Sequence, residues 1–362
     1  MSLMQSMNIC NQTLNAMQSG LTVVAQNISN MSTEGYHKLR TEYAQAVSYM
    51  PMSQNAIVVA NSLAGVEVSS IQRYTDFYME SYYRHQSSQK NYLDTYAAMA
   101  SNVEQVLNVL DETGLAKSLT NFYDAVNEFN DDPANLTTRQ NYVMAAQNLS
   151  EMFNSVASGI TAIQESINGT SSSPYPSDME NAVNNINTLL KQISDANDSI
   201  IKTNSANVSS TTLLDVRDGL LSQLSDIIDI NITQESGNVV TVSLGEQVLI
   251  KNGKQIAEFS AENYVSGGNV HTKISISDIN DGEVLVSDAG SLIETGSLKA
   301  MLDMTGTDNT KLSINSINSF INTLASEFAS TVNTIQTGDP NGDGTTPLSI
   351  TFDSDGNKIL TP

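Results

Sequence analysis

Residues 3–36 read LMQSMNICNQTLNAMQSGLTVVAQNISNMSTEGY, and this stretch decides how the chain is built. Between Met1 and Thr33 no side chain is charged, yet polar residues interrupt every apolar run. Apolar residues recur at alternating steps of four and three, the heptad spacing of a helix that packs along another helix. This row, called the seam below, comprises Leu3, Met7, Cys10, Leu14, Met17, Leu21, Val24 and Ile28.

The seam predicts a helix that needs a partner. Burying one such side chain contributes about 1.5–3 kcal/mol, whereas ordering the backbone costs roughly 1–2 kcal/mol per residue. An isolated helix of this length therefore gains little, and periodicity alone leaves open that it is one more helix of a bundle. Cys10, the single cysteine of the chain, is interpreted as a small apolar packing residue of the seam.

A polar motif ends this helix, with Asn-Ile-Ser-Asn at 27–30 and Thr-Glu-Gly-Tyr at 33–36. Asn and Ser compete for backbone groups at helix ends, and Gly can adopt a left-handed conformation. An amphipathic N-terminal helix with this ending resembles the bacterial flagellar rod, hook and hook-associated proteins. The matching residues are Asn27, Ile28, Asn30, Thr33, Gly35 and Tyr36. The resemblance implies that this helix lies in the innermost layer of a tube, against the same helix of neighbouring subunits.

Charge excludes two classes of partner. The chain has 39 acidic and 16 basic residues and a net charge of −23, which argues against nucleic acid and anionic membrane surfaces. The first basic residue is Lys38, so a cleaved secretion signal is not expected, and no apolar window is long enough for a membrane helix. Composition alone would indicate the cytoplasm, whereas the resemblance implies export through the flagellar channel and an extracellular location at the hook–filament junction.

Hydrophobic periodicity predicts a mainly α fold: a long heptad-patterned helical bundle with a small inserted β module and an N-terminal coiled-coil helix. Aromatic residues cluster early in the bundle and are interpreted mostly as helix–helix core; they are Tyr74, Phe77, Tyr78, Tyr82, Tyr83, Tyr92 and Tyr96. The expected segments are the assembly helix and its motif at 1–36, an irregular connector at 37–73, the helical bundle at 74–228, the β module at 229–287, returning helices at 288–336 and a Gly/Asp-rich terminal segment at 337–362.

A second motif lies within residues 213–224, which read LLDVRDGLLSQL. It resembles the Leu-x-Asp-x-Arg-Asp-x-Leu motif of the hook-associated protein 1 family. Its residues of interest are Leu214, Asp215, Arg217, Asp218 and Leu220. Asp215 suits a helix N-terminus, and we expect Arg217 and Asp218 to pair with charges on adjacent helices. Catalysis by two carboxylates is disfavoured because no histidine or Gly-rich loop accompanies the motif.

Catalytic, metal-binding and cofactor-binding signals are weak in this sequence. His37, His85 and His271 lack the spacing of a metal site or a triad and are interpreted as surface or helix-face residues. The stretch 339–344 begins like a calcium loop, but Ile350 stands at the twelfth position, where such a loop needs Glu. A polar turn is therefore expected there, and the sequence predicts neither an enzyme nor a cofactor.

The resemblance implies a structural subunit that joins hook to filament, is exported unfolded and assembles through its N-terminal helix. The implied partners are further copies of the chain, the hook protein, a second hook-associated junction protein and the export apparatus. A rod or hook protein is the first alternative, and a secreted adhesin or hydrolase with an axial-type N-terminus is the second. The family pattern includes a C-terminal amphipathic helix that recruits an export chaperone. This sequence stops at Pro362 without that helix, which puts chaperone binding and incorporation in question.

Overall fold

The protein is mainly helical, as the sequence predicts. The computed structural model describes residues 3–33, 35–47, 63–107, 114–170, 175–205, 210–266, 269–306, 311–337, 349–352 and 358–361. The helices of these ranges are α1 Leu3–Ser29, α2 Phe77–Leu107, α3 Leu115–Asp131, α4 Leu136–Asn168, α5 Asp178–Ser205, α6 Thr211–Ile227, α7 Ser297–Thr305 and α8 Ile314–Thr337. The strands are β1 Leu39–Val47, β2 Leu63–Arg73, β3 Asn231–Gln234, β4 Val240–Leu244, β5 Gln247–Lys251, β6 Lys254–Gln255, β7 Ala257–Ser266, β8 Asn269–Asp278, β9 Val284–Val286, β10 Ser349–Phe352 and β11 Lys358–Thr361.

The heptad rows of α4 and α5 form the centre of the hydrophobic core. Along α5, Met179, Ile186 and Ile193 are fully buried, and Phe153 and Ile160 of α4 are buried as well. These side chains belong to one continuous cluster that also takes in α2, α6, α7, α8 and the strands from β4 to β8. The helical bundle and the β module therefore share a core, and each stabilises the other by removing apolar surface from water.

The β module consists of two antiparallel sheets, with strand orders β3-β4-β5-β6 and β7-β8-β9. Strand β7 lies at the edge of its sheet, where unpaired backbone groups need partners. The side-chain amide of Asn187 on α5 donates to the Phe259 carbonyl over 2.8 Å and accepts from the Phe259 N–H over 2.9 Å. A helix side chain thus completes the ladder of the edge strand and fixes the module on the bundle.

Gly296 allows α7 to begin close to the end of α6. Its φ is +99°, and an added Cβ would lie 2.3 Å from the carbonyl oxygen of Ile227. A side chain therefore fits neither the conformation nor the space. This close approach explains the Gly in the Thr-Gly-Ser-Leu sequence that opens the returning helices.

Strands β1 and β2 form an antiparallel hairpin, where the sequence analysis expects an irregular connector at 37–73. Leu39 pairs with Arg73, and the ladder continues to Val47 and Leu63 with two register shifts. Two stretches within this connector have strand character in the sequence, Ala-Ile-Val-Val-Ala at 56–60 and Val-Glu-Val at 66–68. The second lies within β2, and the first falls outside the described residues. The prediction is wrong for the hairpin because its strands are polar and irregular in alternation, and their pairing depends on residues distant in sequence.

Most of the early aromatic residues are exposed, which corrects their interpretation as helix–helix core. Tyr74, Tyr78, Tyr82 and Tyr83 have more than half of their surface exposed, and Phe77 is exposed too. Tyr92 and Tyr96, further along α2, are half-buried and stack with ring centroids 6.0 Å apart. Aromatic content alone could not separate these groups, because the bundle packs against only one side of α2.

Two remaining expectations concern the chain end and the membrane. Residues 339–348, where the calcium-like turn is expected, lie outside the described residues, and β10 pairs with β11 in antiparallel fashion. Among the described helices, none combines the length and the apolar character needed to cross a bilayer.

Asn197 interrupts the apolar row of α5 and is fully buried. Neither its side-chain oxygen nor its nitrogen has a hydrogen-bond partner among the described residues. A buried polar group without a partner costs about 1–3 kcal/mol. We therefore expect Asn197→Val to raise the free energy of unfolding by about 1 kcal/mol, measured by urea denaturation. Asn184→Val, at an exposed position of the same helix, is the control for the helix propensity of Val. A lower free energy of unfolding for Asn197→Val, with no change for Asn184→Val, would contradict this expectation.

Asp303 on α7 connects three parts of the bundle. It accepts a hydrogen bond from the Tyr92 hydroxyl of α2 over 2.9 Å, and Lys299 and Lys311 lie at ion-pair distance. Burial raises the pKa of the Asp303 carboxyl, but the hydrogen bonds from Lys311 and Tyr92 and the lysine charges outweigh it. The pKa therefore lies below its ordinary value of 3.8.

This lowered pKa predicts an acid-sensitive contribution to stability. Because the folded protein holds Asp303 ionised more strongly than the unfolded chain, the contribution is complete above 3.8 and is lost as the pH falls through the lowered pKa. We expect the wild-type protein to lose stability relative to Asp303→Asn from about pH 5 downward. Urea unfolding at successive pH values measures the difference, and parallel curves for the two proteins would show that the network contributes nothing.

Candidate functional site

Helix α1 packs on the hairpin with one face and exposes the other. Ala16 and Val23 are buried at the contact, and an added Cβ at Gly20 would lie 2.1 Å from the Tyr43 hydroxyl oxygen. The seam residues with described side chains all face away from the hairpin and are exposed: Met7, Cys10, Leu14, Met17, Leu21, Val24 and Ile28. Leu3 begins the helix. The chain thus carries a continuous, exposed apolar stripe on an ordered helix.

Cys10 differs from its interpretation as a buried packing residue, because its side chain is exposed in this chain. Its position on the seam is as expected. The periodicity of α1 identifies an apolar face but not the partner that covers it. The sequence therefore could not show which face of α1 packs on the hairpin.

The motif at 27–36 fastens the end of α1 to the start of the hairpin. The Asn27 side chain donates to the Leu39 carbonyl over 2.9 Å and accepts from the Leu39 N–H over 2.9 Å. The Tyr36 hydroxyl donates to the same Asn27 oxygen over 2.9 Å. Asn27 therefore acts as a strand partner for β1, and the Tyr36 ring bridges the turn.

The remaining motif residues shape the turn itself. Asn30 donates to the Gln26 carbonyl and accepts a long hydrogen bond from the Thr33 hydroxyl. Gly35 has a φ of +75°, which favours glycine. The polar motif is therefore used within the subunit. The sequence predicts that these residues also take part in assembly: Asn27, Asn30, Gly35 and Tyr36. That role stays a prediction, and the contacts described above give the same residues a role within the subunit.

A cluster of charged residues lies where the hairpin meets the bundle, and we call it the polar junction. Its members are His37, Arg73, Glu80, Arg84, Asp215, Arg217 and Asp218. Arg73, the last residue of β2, donates to Asp215 over 2.8 Å and also to Asp218. His37 faces Asp215 over 2.9 Å and Glu80 over 2.8 Å. His37 thus contacts both α2 and α6, and Arg73, at the end of the hairpin, contacts α6.

Arg217 lies deeper in the polar junction. Its guanidinium donates to Asp218 over 3.0 Å and to the carbonyl of Asn238 in the turn before β4. Burial lowers the pKa of Arg217; Asp218 opposes this effect, and the charges of Arg73 and Arg84 add to it. Burial also raises the pKa of the Tyr36 hydroxyl, with a further contribution from Asp215.

The polar junction includes a possible group of metal ligands among the described residues. One ligand atom each from His37, Glu80 and Asp218 lies within 4.8 Å of the others. However, Arg73 already binds Asp218, and both ring nitrogens of His37 face carboxylates. The positive charge between these carboxylates is thus supplied by side chains, so the arrangement fits an ion-pair network better than a metal site.

The second motif lies at the centre of this junction, but its contacts differ from those expected. Helix α6 begins at Thr211, so Asp215 lies one turn inside the helix and not at its N-terminus. Asp218 pairs with Arg73 of a strand and with Arg217 of its own helix. Leu214 is buried and Leu220 half-buried on the core side.

Sequence reasoning missed four members of the polar junction: His37, Arg73, Glu80 and Arg84. His37 was interpreted as a surface residue, whereas it is half-buried between two carboxylates. A usable signal was present, since Arg73 directly precedes the bundle and few basic residues exist to neutralise the motif carboxylates. What the sequence lacks is the register of β2, which places Arg73 beside α6.

Comparison with known proteins identifies the class to which this fold belongs. The family model for the flagellar hook-associated protein FlgK helical domain matches residues 100–348. The chain therefore belongs to the FlgK family of flagellar hook-associated proteins. This match begins near the end of α2 and covers α3 to α6, the β module and the returning helices, whereas α1, the hairpin, the polar motif at 27–36 and most of α2 lie before it.

Individual relatives agree with the family. The chain is 28% identical over 298 residues to flagellar hook-associated protein 1 of Bacillus subtilis, covering 77% of this chain and 57% of the relative. It is 24% identical over 333 residues to the protein of that name from Salmonella typhimurium, covering 91% and 56%. The chain thus spans little more than half the length of these relatives.

The fold also matches a solved structure. The flagellar hook junction protein FlgK from Burkholderia pseudomallei superimposes with a TM-score of 0.57 over 76% of this chain and 51% of that protein. The sequence identity is 21%, so this likeness concerns the fold. It agrees with a mainly helical architecture that carries small antiparallel sheets.

The polar junction predicts a large effect for Asp218, which accepts from two arginines while almost fully buried. Replacing it with Asn removes the charge, which leaves Arg217 without a carboxylate and Arg73 with Asp215 alone. Breaking a buried pair in this way costs about 3–5 kcal/mol. We expect Asp218→Asn to lower the free energy of unfolding by that amount and to increase hydrogen exchange in β1 and β2.

Asp94→Asn is the matched control, because it breaks the exposed Lys90–Asp94 pair on α2. We expect that change to stay within about 0.5 kcal/mol of the wild-type protein. Equal stabilities for the Asp218 and Asp94 variants would show that the junction does not hold the hairpin in place.

Proposed function

We propose that this chain is a structural subunit of the bacterial flagellum that joins hook to filament and assembles through α1. The observation that carries the proposal is the exposed seam on an ordered helix. Seven apolar side chains at heptad spacing face solvent, from Met7 to Ile28, whereas the heptad row of α5 from Met179 to Ile193 is buried. An apolar stripe of this kind is typical of an interaction surface.

The hairpin and the polar junction give the seam a defined direction. Asn27 ties α1 to β1, α1 packs along β2, and Arg73 ties the end of β2 to α6. Three consecutive attachments therefore connect the seam to the bundle. A subunit of a regular tube must present its contact surfaces at a constant angle, and this chain of attachments would supply it.

The partners follow from the family. Copies of the same chain would pack seam against seam, and the hook protein and a second hook-associated junction protein would bind at the two ends of the assembly. Family names that refer to flagellar hook and junction support this role and describe structural parts and not enzymes. We propose an extracellular location at the hook–filament junction, reached by export of the unfolded chain through the flagellar channel without a cleaved signal.

Leu14→Asp tests the seam directly. Leu14 is 56% exposed, so the change does not disturb the subunit core, but it places a charge at the centre of the apolar stripe. Burying that charge against a neighbouring helix is strongly unfavourable. We expect the variant to fold with an unchanged free energy of unfolding and to lose assembly, measured by sedimentation of the polymer and by complementation of a strain that lacks the junction protein.

Asn15→Asp adds the same charge one residue away, on a side of α1 that belongs neither to the seam nor to the hairpin contact. We expect this variant to assemble normally. Normal assembly of the Leu14 variant would refute the role of the seam, and loss of assembly in both variants would indicate an effect of charge alone.

A further inference from the structure

A large polar cavity opens beside the polar junction. Its volume is about 580 Å³, and its walls come from β2, α2, α6, the end of α5 and strands β3 and β4. Three arginines line it, Arg73, Arg84 and Arg217, together with the carboxylates of Glu80 and Asp218. Hydroxyl and amide side chains supply most of the remaining polar surface, including Ser70, Thr75, Asn204 and Gln234.

Arg84 is the member of this wall whose hydrogen bonds are incomplete. It is 6% exposed, and its Nη2 donates to Glu80 over 2.8 Å. Its Nε and Nη1 atoms are buried and have no hydrogen-bond partner among the described residues. A buried guanidinium with two unused donors leaves a large desolvation penalty uncompensated, so an acceptor at this place would be strongly favoured.

The other two arginines are differently placed. Arg73 is bound to Asp215 and Asp218, and Arg217 is bound to Asp218 and to the Asn238 carbonyl. The charges of the three arginines and of Glu80, Asp215 and Asp218 balance, and no carboxylate accepts a hydrogen bond from Nε or Nη1 of Arg84 among the described residues. Burial lowers the pKa of Arg217, and the nearby charges of Arg73 and Arg84 add to this effect, so the three guanidiniums lie close enough to repel one another.

We propose that this cavity binds a small oxyanion, with Arg84 as its main ligand. Guanidinium groups pair with carboxylate and phosphate oxygens through two parallel hydrogen bonds. On Arg84, the adjacent N–H groups of Nη1 and Nη2 form one such pair; Nη1 has no partner, and Nη2 keeps a second N–H beside its bond to Glu80. The hydroxyl and amide side chains of the wall can hydrogen-bond the other oxygens of the anion. A volume of about 580 Å³ lies within the usual range for small-molecule sites and admits a ligand larger than a single phosphate.

Binding at this place would couple the hairpin to the bundle. Ser70 and Arg73 belong to the hairpin, whereas Arg84 and Arg217 belong to α2 and α6, and all four line the same cavity. A ligand that contacts both sides stabilises the arrangement in which they lie together. This role goes beyond the proposed function, and it can fail while the seam still drives assembly.

The test uses the full chain at neutral pH and three sodium salts of matched ionic strength: chloride, phosphate and succinate. Thermal unfolding is followed as each anion is titrated, and the arginine Nε–H resonances are recorded by nitrogen-15 NMR in the same samples. We expect phosphate or succinate to raise Tm in a saturable manner and to shift the Arg84 Nε–H resonance, whereas chloride does neither. The anion that acts at the lower concentration distinguishes a phosphate from a carboxylate ligand.

Arg84→Met keeps the aliphatic stem and removes the donors, and Arg40→Met removes an exposed arginine of β1 as the control. We expect the Arg84 variant to bind at least about tenfold more weakly and the Arg40 variant to match the wild-type protein. A rise of Tm that is linear in concentration and equal in all three proteins would overturn the proposal. An Arg84 Nε–H resonance that does not move in the wild-type protein would overturn it as well, even where the Arg84 variant fails to fold.

Discussion

Arg73 ends the hairpin and donates to two carboxylates of α6, Asp215 and Asp218, in a place almost closed to solvent. The arrangement of the N-terminal part depends on this contact, because α1 packs on the hairpin and reaches the bundle through it. Buried ion pairs add little net stability relative to apolar packing, but they tolerate only one geometry. The main role of the polar junction is therefore to fix the orientation of the hairpin and α1 on the bundle, and its net contribution to stability is small.

The same principle recurs where strands meet helices. Asn27 pairs with both backbone groups of Leu39, and Asn187 does the same for Phe259. In each case a helix side chain supplies the two backbone hydrogen bonds that a neighbouring strand would otherwise make. Polar groups with defined partners specify position, whereas the apolar clusters of α4 and α5 supply the free energy that holds the bundle and the β module together.

Exposed apolar side chains form a row along the seam of α1 and recur among the aromatic residues at the start of α2. An exposed apolar stripe of this extent is typical of an interaction surface, which supports the proposed role as a subunit of an assembly. The family match supports this interpretation over a rod or hook protein.

The sequence by itself determined the helices, the mainly α class, the presence of a β module and the family, because heptad rows and short motifs are local and repeat regularly. Met179 to Ile193 was identified as a core row, and the structure buries it. Only the tertiary structure decided the hairpin, the exposure of Cys10 and of the tyrosines of α2, and the junction around Asp218. Each of these depends on residues far apart in sequence, such as Arg73 and Asp218, and no local pattern records which distant group a side chain will meet.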